Sequence, residues 1–234
     1  MIQLKGFKIP LESYFLFVLA IISLFIIHTF KIDFAIASQI YLPTNSWFYQ
    51  DSWITNNLMH RFGKYFVILL YLFLLIKFLI RDKNNEDALL RYGNIVLLLS
   101  LLVGTLIVSV LKHTLEVDCP WDLQQFGGSK PFFEVFHYGT DYLPSSHCFP
   151  SGHASTVFTW FSLYFFCSIY YPKHRIKVLS IILALGFVFG FGQQLRGAHF
   201  ISHDIWSMLV CLLVNILIYK VAFFKKLTVS VNRN

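Results

Sequence analysis

Six runs of mostly apolar residues, 13–30, 65–80, 93–111, 154–171, 178–195 and 205–224, constrain this chain more than any other feature. Each is at or near the about 20 residues that a helix needs to cross the hydrocarbon of a bilayer. Lys77, near the end of the second run, can extend its ammonium to the interface. Charged residues make up 13% of the 234 and apolar residues 56%, including 26 Phe, against roughly 25% charged in soluble domains. A water-soluble globule of that composition would expose more apolar surface than water tolerates. The sequence therefore predicts an all-α integral membrane protein with six transmembrane helices. No Pro/Gly/Ser-rich linker or repeat divides the chain, so residues 1–234 are expected to form a single polytopic domain.

The net charge of +7 could suggest nucleic acid, but the basic residues lie at the ends of the apolar runs rather than in one patch. Membrane topology accounts for them, and no nucleic-acid partner is expected. With the N-terminus inside, the inner segments hold Lys5, Lys8, Arg81, Lys83, Arg91, Lys173, Arg175, Lys177, Lys220, Lys225, Lys226 and Arg233. The outer ones hold only Lys31, Arg61, Lys64, Lys112, Lys130 and Arg196. Both termini are thus expected to be cytoplasmic in a multi-pass protein of the bacterial inner (plasma) membrane, with the outer side periplasmic. The first run is longer than a signal-peptide core, and Lys31 and Asp33 precede the small-residue step Ala35-Ile36-Ala37, so cleavage is not expected. Trp47, Phe48, Tyr49 and Trp53 read as interfacial anchors. The segment 81–87 reads as a solvated inner turn.

Counting spans places three polar clusters, 112–120, 147–155 and 196–204, on one side, the outer one. Pro150-Ser151-Gly152-His153 precedes an apolar helix. A helix N-terminus offers backbone N–H groups and a positive dipole end to an anion. Ser151 adds a hydroxyl, Gly152 permits close approach of a ligand, and His153 can move a proton. Arg196-Gly197-Ala198-His199 sets a guanidinium, whose planar fork matches phosphate oxygens, one turn from an imidazole. Lys112 ends the third helix as a further positive charge. Singly, each has a plainer explanation: an interfacial lysine, a solvated histidine, ordinary turn chemistry. Their convergence on one side points to phosphate handling.

These residues resemble the type 2 phosphatidic acid phosphatase superfamily of membrane phosphatases. Its signature is Lys followed seven residues later by Arg-Pro, then Pro-Ser-Gly-His, then Ser-Arg, five residues, His, three residues and Asp. The likeness runs from Lys112 to Asp204, and Pro150-Ser151-Gly152-His153 is intact. Three positions depart: Cys119 and Gln193 stand where the family places Arg, and His203 stands where it places Asp, with Asp204 adjacent. Arg196 lies one helical turn beyond Gln193. The resemblance implies that His199 attacks phosphorus to form a phosphohistidine and that His153 protonates the leaving group. Lys112, Ser151, Gly152 and Arg196 would bind the phosphate, and Asp204 or His203 would orient His199. It implies no cofactor and no metal.

Within that reading, water or a lipid acceptor could take the phosphoryl group, so hydrolase and lipid phosphotransferase remain open. Two further classes compete: a non-catalytic lipid-binding protein, and a histidine-rich metal site built from His147, His153, His199 and His203. The expected partner is a phosphorylated membrane lipid within the bilayer, such as phosphatidic acid, a polyprenyl diphosphate or a phosphorylated glycolipid. Residues 121–147, with Gly127-Gly128 and the Phe132-Phe133 pair, are expected to shape headgroup access. Cys167 and Cys211 fall inside apolar runs and read as packing residues. Cys119 and Cys148 flank the motifs in an outer, oxidising compartment where a disulfide is allowed. Such a bond would be worth about 3–4 kcal/mol in the chain-entropy model.

Overall fold

The computed structural model describes residues 8–80, 87–115, 117–132 and 146–231, with side chains as far as Phe223. Lys5, Arg233, the segment 81–86 expected as a turn, the part of the expected access loop at 133–145, and the side chains of Lys225 and Lys226 lie outside the described residues. The chain is helical: α1 Leu11–Thr29, α2 Ile32–Tyr41, a π-helical segment Trp53–Phe62 leading into α3 Gly63–Ile80, α4 Ala88–Thr114, α5 Gly152–Phe158, α6 Phe161–Tyr170, α7 Arg175–Leu195 and α8 Ile201–Val231. Among the described residues the only bridge is an isolated one between Leu123 and Lys130.

Five helical stretches are long and apolar enough to cross a bilayer: Leu11–Thr29, Trp53–Ile80, Ala88–Thr114, Pro172–Leu195 and Ile201–Phe223. This makes the chain a multi-pass membrane protein. The fourth apolar run differs from expectation because it is divided into α5 and α6. Ser155, Thr156 and Thr159 donate their hydroxyls to the carbonyls of Gly152, His153 and Thr156. Such local bonds compete with the helical ladder. The ladder tightens at the joint, where Trp160 N–H bonds Val157 O and Leu163 N–H bonds Trp160 O. This pair of helices is also the best-buried part of the bundle, with Phe158, Phe161, Tyr164 and Phe165 fully enclosed. By contrast, Phe15, Phe25, Leu69, Phe73 and Val110 on the surrounding helices are more than half exposed, a face suited to lipid.

Hydrogen bonds fix the helix directions. At one end Tyr170 donates to Leu89 O, Tyr92 donates to Ala222 O, and Arg175 pairs with Glu12 at 2.8 Å. These contacts bring together the starts of α1, α4 and α7 and the ends of α6 and α8. In the middle, Ser162 donates to Leu97 O, Tyr219 to Ser162 O and Asn215 to Thr159 O. Interhelical polar bonds of this kind hold bundles where lipid supplies no hydrophobic drive between helices. The opposite end gathers the C-terminal ends of α4 and α7 and the N-terminal ends of α3, α5 and α8, the helix ends that carry all three polar clusters.

A second, smaller apolar cluster of Ala37, Trp47, Leu123, Phe126 and Phe200 lies at that end. Trp47 differs from the interfacial role expected of it. Its ring is 9% exposed and lies on Gly197, between Tyr41 and Phe126. Phe48 and Trp53 keep the expected exposure, at 68% and 66%. Cys167 and Cys211 are buried free thiols.

Candidate active site

The sequence around His199 forms a turn rather than a helix. Gly197 takes φ +74, a left-handed conformation suited to glycine, and its N–H bonds Gln194 O. Its carbonyl accepts from Trp121 N–H, which ties the turn to the loop after α4. The turn ends α7 and delivers His199 just before α8, with only 4% of its surface exposed. Burial, then the Lys112 charge and the neighbouring His203 and His153, holds the His199 imidazole well below its ordinary 6.5. It is therefore a free base at neutral pH, and its buried Nδ1 has no hydrogen-bond partner.

The loop carrying Ser151 is fastened to α8 from both sides. Ser151 N–H bonds His203 O, and its carbonyl accepts from Ser207 Oγ at 2.9 Å. The Ser151 side chain is fully enclosed and faces the Asp204 carboxyl. Gly152 faces Lys112, since a Cβ there would stand 3.4 Å from Lys112 Nζ. The lysine ending α4 thus approaches the glycine opening α5, across the loop that separates them in sequence. A side chain at 152 would begin to fill that gap. His153 is half-buried, with both ring nitrogens enclosed and unpartnered, and its ring stacks on His60 at 4.2 Å and 29°.

Arg196 donates from Nε to Gln50 O and from Nη1 to Gln193 Oε1, both at 3.0 Å. Gln193, at the position of the family arginine, thus holds the displaced one. His203 Nδ1 lies 3.1 Å from Cys148 O, and its ring centroid is 5.8 Å from that of His199. Asp204 is turned to α7: its Oδ2 accepts from Gln194 Nε2 at 2.7 Å, and it occupies the space left by Gly190, where a Cβ would be 2.3 Å from Oδ2. Cys119 and Cys148 are disulfide-bonded with Cα atoms 5.1 Å apart, joining the loop after α4 to the loop before α5. Lys130 pairs with Asp118 at 2.6 Å, within the same loop.

Two residues at this end escape a motif-based reading. His60 comes from the π-helical segment, far from the three clusters in sequence. Asp33, whose Oδ1 accepts Ser202 N–H at 3.0 Å, satisfies a backbone donor at the start of α8 from α2. Burial raises the Asp33 carboxyl above its ordinary value. Its position three residues past the first apolar run carried no signal of that role. Among the described residues, no three His, Cys, Asp or Glu side chains are grouped to hold a metal ion.

The family model described as the PAP2 superfamily matches residues 93–227, more than half of the chain. The chain belongs to the PAP2 superfamily. Members of that superfamily are typically phosphatases, which assigns phosphatase-type chemistry on a phosphorylated, membrane-associated substrate. No curated protein and no solved structure matches the chain.

Proposed function

We propose that this protein is a membrane phosphatase that removes phosphate from a lipid headgroup through a phosphohistidine on His199. The observation that carries the proposal is a buried imidazole in the turn before α8, with His203 beside it and Lys112 brought to Gly152 at the same end of a membrane bundle. Neutral His199 has a lone pair for in-line attack on phosphorus. A bound phosphate dianion among Lys112, Arg196 and His153 would favour a proton on His153, which that residue then gives to the leaving oxygen. Lys112, the Gly152 amide and the N–H groups of Arg196 not used by Gln50 and Gln193 are the donors for the equatorial oxygens. Ser151, facing Asp204, is the least directly placed of the expected phosphate ligands. Water then attacks the phosphohistidine and releases phosphate. Transfer to a lipid acceptor shares every step but this last one.

The proposed setting is a six-span protein in which α5 and α6 together form the sixth crossing, lined by protein on all sides. Both termini lie inside, and the site lies at the outer interface, the level of lipid phosphates. The distribution of Lys and Arg supports that orientation.

Phosphate release in detergent, across phosphatidic acid, a polyprenyl diphosphate and a phosphorylated glycolipid, tests the function. Activity is expected on at least one of them, unaffected by chelator and inhibited by vanadate. Because the His199 pKa is lowered, protonation of the nucleophile costs rate only as pH falls well below 6.5. An acid limb at or above 6.5 that is traced to His199 would contradict this assignment, as would inactivity on the whole panel.

Asp204 is held by Gln194, and His203 is the group whose ring lies nearest His199 along α8. We therefore assign the positioning of His199 to His203, and to Asp204 the locking of α8 onto α7. His203→Gln is expected to lower kcat on the order of a hundred-fold, the scale of a small misplacement of a reacting group. Asp204→Asn, which keeps an oxygen for Gln194, is expected to cost less. A folded Asp204→Asn that is inactive beside a normal His203→Gln would reverse the assignment.

A further inference from the structure

The departure of Cys119 from the family pattern removes an arginine from the phosphate site, and the sulfur is committed to Cys148. A site that must stabilise phosphoryl charge with one guanidinium fewer needs donors from elsewhere. The segment 53–64 supplies them from outside residues 93–227, the region that the superfamily match covers.

This segment is fixed to α7 by two close contacts. The Phe189 ring lies where a Cβ of Gly63 would be, at 2.3 Å, and Met59 lies at 2.6 Å from where a Cβ of Gly192 would be. Gly192 precedes Gln193, so the same stretch of α7 that bears Arg196 carries the seat for Met59. The backbone between these two anchors is π-helical, a wider winding often found at functional sites. Between the anchors lies His60, its ring stacked on His153 and its Nδ1 buried without a partner. Three buried ring nitrogens, one on His60 and two on His153, thus stand together unsatisfied. Unpaired buried polar atoms of this kind are costly and rare in folded proteins. The charges acting on His153 are those of His60, Lys112, Arg196 and Lys64. Lys64 also acts on Lys112 and on His60, while its own side chain is exposed. Asp51 acts on Arg196, but no carboxylate acts on His60 or His153, and N–H donors converging with cations in this way form an anion site.

We propose that His60 and Lys64 bind the phosphoryl group in this site, in the role vacated at position 119; this rests on the phosphatase reading above. His60 donates a ring N–H to a phosphoryl oxygen, and Lys64 supplies a mobile positive charge at the open side. The ligand chemistry is a phosphoryl oxyanion, whether it is carried by a lipid headgroup or free as product phosphate.

Full-length protein in detergent, as wild type, His60→Phe and Lys64→Gln, separates the alternatives. Phenylalanine keeps a stacked ring against His153 and removes the N–H, and Lys64 is exposed, so its replacement leaves the packing intact. Two quantities are read: equilibrium binding of inorganic phosphate, and KM against kcat on the lipid that the wild type hydrolyses. Each variant is expected to weaken phosphate binding by about ten-fold, the worth of a charge-assisted hydrogen bond, and to raise KM with little change in melting temperature. Wild-type phosphate affinity in both variants would overturn the proposal, since a ring that only packs is replaced well by Phe. A raised lipid KM with unchanged phosphate affinity would place the contacts elsewhere on the headgroup and overturn it equally. Should His60→Phe fail to fold, Lys64→Gln alone decides. A wild type that neither binds phosphate nor releases it from any lipid overturns the phosphatase reading itself, a result distinct from variants that match an active wild type.

Discussion

His199→Ala is expected to lower phosphate release by roughly 10⁴-fold or more while the protein still inserts and folds. Removing the nucleophile from a covalent mechanism costs far more than removing any single stabilising contact, because no remaining group can open that pathway. The imidazole lies in a turn between α7 and α8. It makes no side-chain hydrogen bond through Nδ1 that the fold depends on. The lost volume is small beside the long helical contacts that hold the bundle, so melting temperature should fall little. Phosphate release and thermal unfolding of detergent-solubilised protein, measured on the same preparation, check both halves. Turnover near that of wild type would remove His199 from the mechanism.

Gly197→Ala is expected to cost about 2–5 kcal/mol of stability, together with most of the activity, though it adds one methyl group. Two penalties coincide. A left-handed φ of +74 disfavours any L side chain by about 1–2 kcal/mol. The new Cβ would also stand 2.3 Å from the Trp47 ring, an overpacking worth about 1–3 kcal/mol. Trp47 has little room to withdraw, since Tyr41 and Phe126 flank it at 5.4 and 5.6 Å. Because Gly197 separates Arg196 from His199, a shift here moves both the cation and the nucleophile. Thermal unfolding and kcat of the variant measure the two losses. In a Trp47→Ala background, itself destabilised by loss of a buried ring, Gly197→Ala should cost only the backbone strain of about 1–2 kcal/mol, because the clash is gone. Unchanged melting and kcat for Gly197→Ala would show that the turn is not what positions His199.

The apolar runs made the long helices legible, because a bilayer demands both length and composition. The tightened joint at Thr159-Trp160 was not legible, since 154–171 contains no proline to announce it. It arises from Ser and Thr hydroxyls bonding back to the helix, an outcome that depends on which way each side chain turns in the packed bundle. Span counting gathered Lys112, His153 and His199 on one side, and the structure brings Lys112 to Gly152 and sets its charge on His199. The choice between Asp204 and His203 could not be read from spacing. The proposal of His203 rests on Gln194 and Gly190, residues of α7 that hold the Asp204 carboxyl. Trp47 read as an anchor because an aromatic in a polar segment carries no mark of the glycine it will cover. His60 was silent for a related reason: its contact with His153 reaches across all of α3 and α4 in sequence. Long-range stacking of one histidine on another leaves no local pattern.

The central claim, that His199 carries the phosphoryl group, is tested most directly by rapid quench of the enzyme turning over a lipid labelled in its phosphate. A protein-bound label is expected that is lost in acid and stable in base, as a phosphoramidate is, and that is absent from His199→Ala. Label retained by His199→Ala, or none on a wild type quenched during turnover, would contradict it.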